Sequence, residues 1–104
     1  PTYIALDDTV HVVDTTTEAV NVTASISHID TTTAGSSHAG ALADGTNGQI
    51  KIITMTSDGG DSVVTPANAN GFSTITFADV GDTATLIFTG NKWNILSSHS
   101  VTIA

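Results

Sequence analysis

The chain is written in short runs where apolar and polar residues alternate. Val20, Val22, Ala24 and Ile26 alternate with Asn21, Thr23 and Ser25. Ile75 and Phe77 alternate with Thr74 and Thr76, and Ala84, Leu86 and Phe88 with Thr83, Thr85 and Thr89. Trp93 and Ile95 flank Asn94, and Val101 and Ile103 close the chain in the same way. A period of two sends successive side chains to opposite faces of a strand, so each run predicts a strand with one buried face. A denser apolar run from Ile50 to Met55 predicts another. Threonine, valine and isoleucine dominate while helix formers are scarce, so local propensity agrees with the pattern.

Turn signals separate the runs: Asp7-Asp8, Asp14 to Thr17, Asp44 to Gly48, Asp58 to Asp61, Pro66 to Gly71, Asp79 to Asp82, and Gly90-Asn91. Many short strands with such punctuation predict an all-β fold: a compact antiparallel sandwich, jelly-roll-like or a small barrel. The clearest hairpin is "TATLIFTGNKWNIL". Gly90 and Asn91 both tolerate positive φ, as a two-residue turn requires, and would set Leu86 and Phe88 opposite Trp93 and Ile95. Strand parity makes Phe77, Phe88 and Trp93, with Phe72, the core aromatics. Residues 30–40, "DTTTAGSSHAG", are small, polar and aperiodic, and predict a loop.

At 104 residues the chain predicts a single domain, 1–104, with a thin core that burial between subunits would supplement. There is no cysteine, so disulfides, thiolate metal sites and thiol nucleophiles are excluded. Two lysines, Lys51 and Lys92, stand against ten acidic residues, for a net charge of -8. Phosphate backbones and anionic lipid need clusters of cations, so nucleic acid and membrane surfaces are not expected partners. No apolar run approaches the roughly 18 residues of a membrane span, and no signal-peptide pattern opens the chain. It starts Pro-Thr-Tyr, as after removal of an initiator methionine, and reads as a complete gene product.

The remaining candidates for chemistry are turns and histidines. Asp44-Gly45-Thr46-Asn47-Gly48 lacks the Lys-Ser/Thr ending of a phosphate loop. Asp58-Gly59-Gly60-Asp61 and Asp79-Val80-Gly81-Asp82 are incomplete as calcium loops. These segments read mainly as turns, and no metal or other cofactor is expected. His11, His28, His38 and His99 form no metal-binding pattern and read as surface or strand residues. His28 shares the parity of Val20 to Ile26 and could face a core or a subunit axis. No strained turn surrounds a serine, so neither catalysis nor a small-molecule substrate is expected.

From residue 42 onward the order of motifs is recognisable. Leu42 to Gln49, Thr65 to Asn68, Thr74 to Phe77, Ala78 to Asp82 and Lys92-Trp93 follow one another as turn, loop, strand, turn and hairpin. This order resembles a β-rich module of bacteriophage virion proteins, of the kind found in marine phages and cyanophages. The resemblance implies a non-enzymatic virion component that assembles as a homotrimer. It leaves two roles open: a capsid decoration (cement) protein that binds the major capsid protein, or a tail-fibre or spike domain that binds a host receptor or glycan. The absence of a long shaft sequence favours decoration. That role implies a place on the capsid exterior after synthesis in the host cytoplasm. Residues 1–8, "PTYIALDD", are expected to form an arm or edge strand that meets the capsid through Tyr3, Ile4 and Leu6. Val20, Val22, Ile26 and His28 are the expected subunit interface.

Overall fold

The computed structural model describes residues 9–104. The predicted contact residues Tyr3, Ile4 and Leu6 lie outside that range. Among these described residues, nine strands and one short helix follow in order: β1 (Val10–Val13), β2 (Ile26–Asp30), α1 (Thr31–Ala34), β3 (His38–Leu42), β4 (Ile50–Ser57), β5 (Ser62–Pro66), β6 (Ile75–Phe77), β7 (Thr83–Thr89), β8 (Lys92–His99) and β9 (Thr102–Ile103). They make a five-stranded sheet, β1-β2-β4-β7-β8, and a four-stranded sheet, β3-β5-β6-β9. The all-β expectation holds.

The strand directions do not follow the expected antiparallel order throughout. β1 and β2, β2 and β4, and β3 and β5 pair in parallel. Only β4-β7-β8 and β5-β6-β9 are antiparallel. The two open, mixed sheets also rule out a closed barrel. The cause is winding. The chain passes from β2 in the larger sheet to β3 in the smaller, back to β4 and over again to β5. Val20 bridges in parallel to Leu42, so the segment before β2 makes the same crossing. A parallel pair needs a long crossover; here each crossover visits the opposite sheet. The C-terminal half then returns by hairpins.

Residues 20–25 are therefore not a strand, despite their alternation. Asn21 Oδ1 accepts from the Ala24 N–H at 3.2 Å, a side-chain bond that offers the backbone an alternative to a ladder. The bend carries the chain from the smaller sheet to the larger. Residues 30–40 are likewise not a loop. Asp30 caps α1, accepting from the Thr33 N–H at 2.9 Å and the Thr33 hydroxyl at 2.6 Å. Gly35, at φ 84°, ends the helix in the left-handed conformation, with its N–H shared by the Thr31 and Thr32 carbonyls. β3 then starts at His38.

One hydrophobic cluster joins the sheets. Val13, Ile29, Ile53, Met55, Ala84, Leu86, Phe88 and Trp93 come from the larger sheet, and Leu42, Val64, Ile75 and Phe77 from the smaller. Val20 is also buried in it. Phe72, Ile95 and Val101 pack against it, whereas Ile103 faces outward. The predicted hairpin is present: Gly90 and Asn91 have φ 62° and 61°, Phe88 faces Trp93 and Leu86 faces Ile95. A bulge at Thr85/Leu86 then shifts the register of β8.

Gly40 marks the tightest crossing. A Cβ there would collide with the Glu18 carbonyl oxygen and lie 2.7 Å from His38 Nε2. Backbone cannot yield as a flexible side chain can. Gly40→Ala should therefore lower stability by about 2 kcal/mol, the middle of the overpacking range. Urea titration followed by circular dichroism would measure it, and an unchanged midpoint would refute the close approach.

Candidate functional site

Two polar constellations stand out inside the winding half, and both are histidine-serine pairs set across parallel strands. His11 on β1 lies opposite Ser27 on β2, and His38 on β3 lies opposite Ser62 on β5. Glu18, in the crossover after β1, touches both histidines. Its carboxylate meets His11 Nε2 at 3.0 Å, and its backbone carbonyl meets His38 Nε2 at 2.7 Å.

The tautomers follow from the partners. A carbonyl only accepts, so His38 carries its proton on Nε2, and its Nδ1 accepts a hydrogen bond from the Ser62 hydroxyl, 2.8 Å away. The neutral form of His11 does likewise: Nε2–H donates to Glu18, and Nδ1 accepts from Ser27 Oγ at 3.2 Å. Burial pushes the Glu18 carboxyl up. The Asp14 N–H, the hydrogen bond and charge of His11, and the Thr15 N–H together outweigh that and hold it below its ordinary value.

Serine, histidine and carboxylate in series have the order of a nucleophile, a base and its orienting acid. Here both Ser27 and Ser62 are fully buried, and no pocket opens among the described residues. What the bonds do is brace the crossovers. His38 ties β3 to β5 and to the first crossover, and His11 ties β1 to the same crossover.

A carboxyl held low contributes stability above its unfolded value, near 4.3, and that contribution is lost as pH falls through the folded value. Glu18→Gln should cost about 1.5 kcal/mol at pH 7, the low end for a hydrogen bond to a charged group. The gap to the native protein should close in acid, once both Glu18 states are protonated. Paired urea titrations at pH 7 and in acid would measure this; a gap that persists in acid would assign the loss to packing.

The Asp-rich turns are built as turns. Asp58 accepts from the Gly60 N–H at 3.1 Å, and one Asp82 oxygen accepts from the Ala78 and Asp79 N–H groups at 2.9 and 3.1 Å. Asp44 accepts Asn68 Nδ2 on both oxygens at 2.9 Å. No group of three or more histidine or acidic side chains among the described residues is placed to hold a metal.

The expected interface residues divide. Val20 is 1% exposed within the single chain, and Val22 packs against the core, so those two belong to the domain interior. Their alternation does not continue into the strand of Ile26, because the bend at 22–25 breaks it. Ile26 and His28 do lie on a solvent-facing surface, the outer face of the larger sheet. Their neighbours there are Val10 and Val12 of β1, Ile50, Ile52 and Thr54 of β4, and Thr85 and Ile87 of β7. No protein family, curated protein or solved structure matches the chain.

Proposed function

We infer that the chain is a virion structural protein, a trimeric capsid decoration (cement) protein that binds the major capsid shell without catalysis. The observation that carries the reading is the ordered set of motifs from Leu42 to Trp93, because the fold uses three of them as one spatial unit. Trp93 Nε1 donates to the Ala43 carbonyl at 2.9 Å, and Gly45 lies so close that a Cβ would fall 2.9 Å from the Trp93 ring. The Trp93 N–H donates to the Asn68 carbonyl at 2.9 Å, and Asn68 in turn bonds Asp44. The first turn, the Thr-Pro-x-Asn loop and the Lys-Trp hairpin thus meet around one indole. Residues that must fit one another are recognisable together in a sequence, and this supports reading them as a module.

The chemistry of the surface accords with a clamp. The chain is acidic, and carboxylates at the turns can orient it on a partner, while apolar and backbone contacts supply affinity. A trimer engages several shell subunits at once, so modest contacts add by multivalency. The test is whether the protein remains on purified heads that lack tails. Retention on such heads supports decoration. Recovery only on tailed particles assigns the chain to a fibre or spike, and absence from both removes the virion reading.

A further inference from the structure

Two asparagines stand directly before a glycine: Asn47 in the turn of residues 44–48, and Asn70 in the loop after β5. Asn21, Asn68, Asn91 and Asn94 precede residues that carry side chains. An asparagine-glycine pair is where a backbone nitrogen most readily closes on the preceding side-chain amide, because glycine has no Cβ to obstruct the ring. Both asparagines are exposed. Gly48 and Gly71 hold φ 96° and 85°, and a Cβ on either would meet nothing within 4 Å. Space therefore does not separate the two pairs.

Hydrogen bonding does separate them. At the first pair the Gly48 N–H donates to the Phe88 carbonyl at 2.7 Å. Asn91 holds the Asn47 side chain at both ends: Asn47 Nδ2 donates to Asn91 Oδ1 at 3.1 Å, and Asn47 Oδ1 accepts from the Asn91 N–H at 3.1 Å. The nucleophile and the amide it would attack are both engaged. At the second pair the Gly71 N–H donates to nothing among the described residues. Asn70 keeps one side-chain bond, from Nδ2 to Asn94 Oδ1 at 2.8 Å. Its backbone is fixed on the other side, since the Asn70 N–H donates to the Trp93 carbonyl at 3.0 Å. The second pair is thus anchored on β8 but unbonded at the reacting nitrogen.

We propose that Asn70 is a spontaneous deamidation site, at which the Gly71 nitrogen displaces the side-chain amide as ammonia. Hydroxide takes the proton of the Gly71 N–H, and the nitrogen forms a bond to Asn70 Cγ. The Cγ–Nδ2 bond breaks, and Nδ2 takes up a proton from water and leaves. Water then opens the cyclic imide at either ring carbonyl, which leaves aspartate or isoaspartate at position 70. The product adds one negative charge to a chain already at -8 and removes the donor to Asn94. In the isoaspartate form the main chain gains a methylene next to the N–H that bonds Trp93. The change therefore loosens the loop that Asn68 and Asn70 tie to the Lys-Trp hairpin. This chemistry is independent of any virion role.

Peptide mapping by mass spectrometry, on the full chain aged at 37 °C and pH 8, tests it. In the folded protein Asn70 should convert about thirtyfold faster than Asn47, since conversion at Asn47 must break two further hydrogen bonds of ordinary strength. In the chain unfolded by guanidinium chloride the two should convert alike, because glycine follows both. Aspartate and isoaspartate should both appear at position 70, and conversion should slow at pH 6, where hydroxide is scarcer. Asn70→Gln, whose longer side chain closes a ring far less readily, should not accumulate the acidic species on ion exchange. Equal rates at Asn47 and Asn70 in the folded protein overturn the proposal. So does a difference that survives unfolding, which would belong to the neighbouring residues and not to the fold. Aspartate without isoaspartate would replace ring closure by direct hydrolysis and overturn the route. An acidic species undiminished in Asn70→Gln would move the site elsewhere and overturn the assignment.

Discussion

Trp93→Ala should destabilise the protein by about 4 kcal/mol, within the range for deleting a buried aromatic. Three effects add at this residue. The ring is fully buried and packs edge-on against Phe88, with centroids 5.1 Å apart and planes at 72°. Its removal leaves a cavity between β8 and the 44–48 turn, which Gly45 has already brought as close as backbone can come. The Ala43 carbonyl also loses its donor. Small domains have only about 5–15 kcal/mol in total, so the variant should be close to unfolded at 37 °C. Trp93→Phe separates the terms. It keeps most of the ring and loses the N–H, and should cost about 1–2 kcal/mol. Urea titrations followed by circular dichroism measure both, since the fluorophore itself is gone. A loss below about 2 kcal/mol for the alanine variant would mean that the indole does not hold turn, loop and hairpin together.

Lys51→Met should stabilise the protein at neutral pH by about 2 kcal/mol. Lys51 stands on the core face of β4, with no exposed surface. Its Nζ donates to the Ala24 carbonyl at 2.6 Å and meets no carboxylate among the described residues. Burial disfavours the charged ammonium and pulls its pKa down to about 8 from 10.5. At roughly 1.4 kcal/mol for each unit, keeping it protonated costs about 3 kcal/mol. Methionine removes that cost but leaves the Ala24 carbonyl without its donor, which returns about 1 kcal/mol. The sign with pH is fixed by linkage. Between pH 8 and 10.5 the unfolded chain holds a proton on this amine that the folded one has released, so this group's contribution to stability rises with pH across the window. The advantage of the methionine variant should shrink through the same window, and the difference between the two proteins cancels the background titration of other groups. A constant difference from pH 7 to 10 would show that the fold does not lower the pKa of Lys51.

Lys51 also shows where reading the chain stops. Period-two alternation says that Ile50, Ile52 and Thr54 share one face and Lys51, Ile53 and Met55 the other. It does not say which face is inside when both are apolar, and a lysine ordinarily argues for the outside. The fold chose the opposite, because Ile53 and Met55 meet the smaller sheet, and it put Ile50 and Ile52 on the open face. The expected interface split for a different reason: the bend before β2 turns Val20 and Val22 into the interior and leaves Ile26 and His28 on the surface.

Local physics was legible in the chain. The Gly90-Asn91 turn fixed the pairing of Phe88 with Trp93, since a two-residue turn sets register by itself, and the aspartates of the turns bond backbone within a few residues. Asp30 and Gly35 bracket a short helix with an ordinary cap at each end, a signal present in "DTTTAG" that the small polar composition concealed. The winding was not legible. Parallel partners such as Val10 and Ile26, or Ile26 and Ile52, are joined by crossovers through the other sheet, and no turn residue encodes which strands meet. The histidine-serine pairs depend on those partners, so His11 and Ser27, or His38 and Ser62, become neighbours only once the chain has wound. The sequence by itself therefore determined strands, turns and the C-terminal hairpin, whose interactions are short-range. The tertiary structure decided strand direction, the inward face of β4 and the polar braces, because each depends on contacts between residues far apart along the chain.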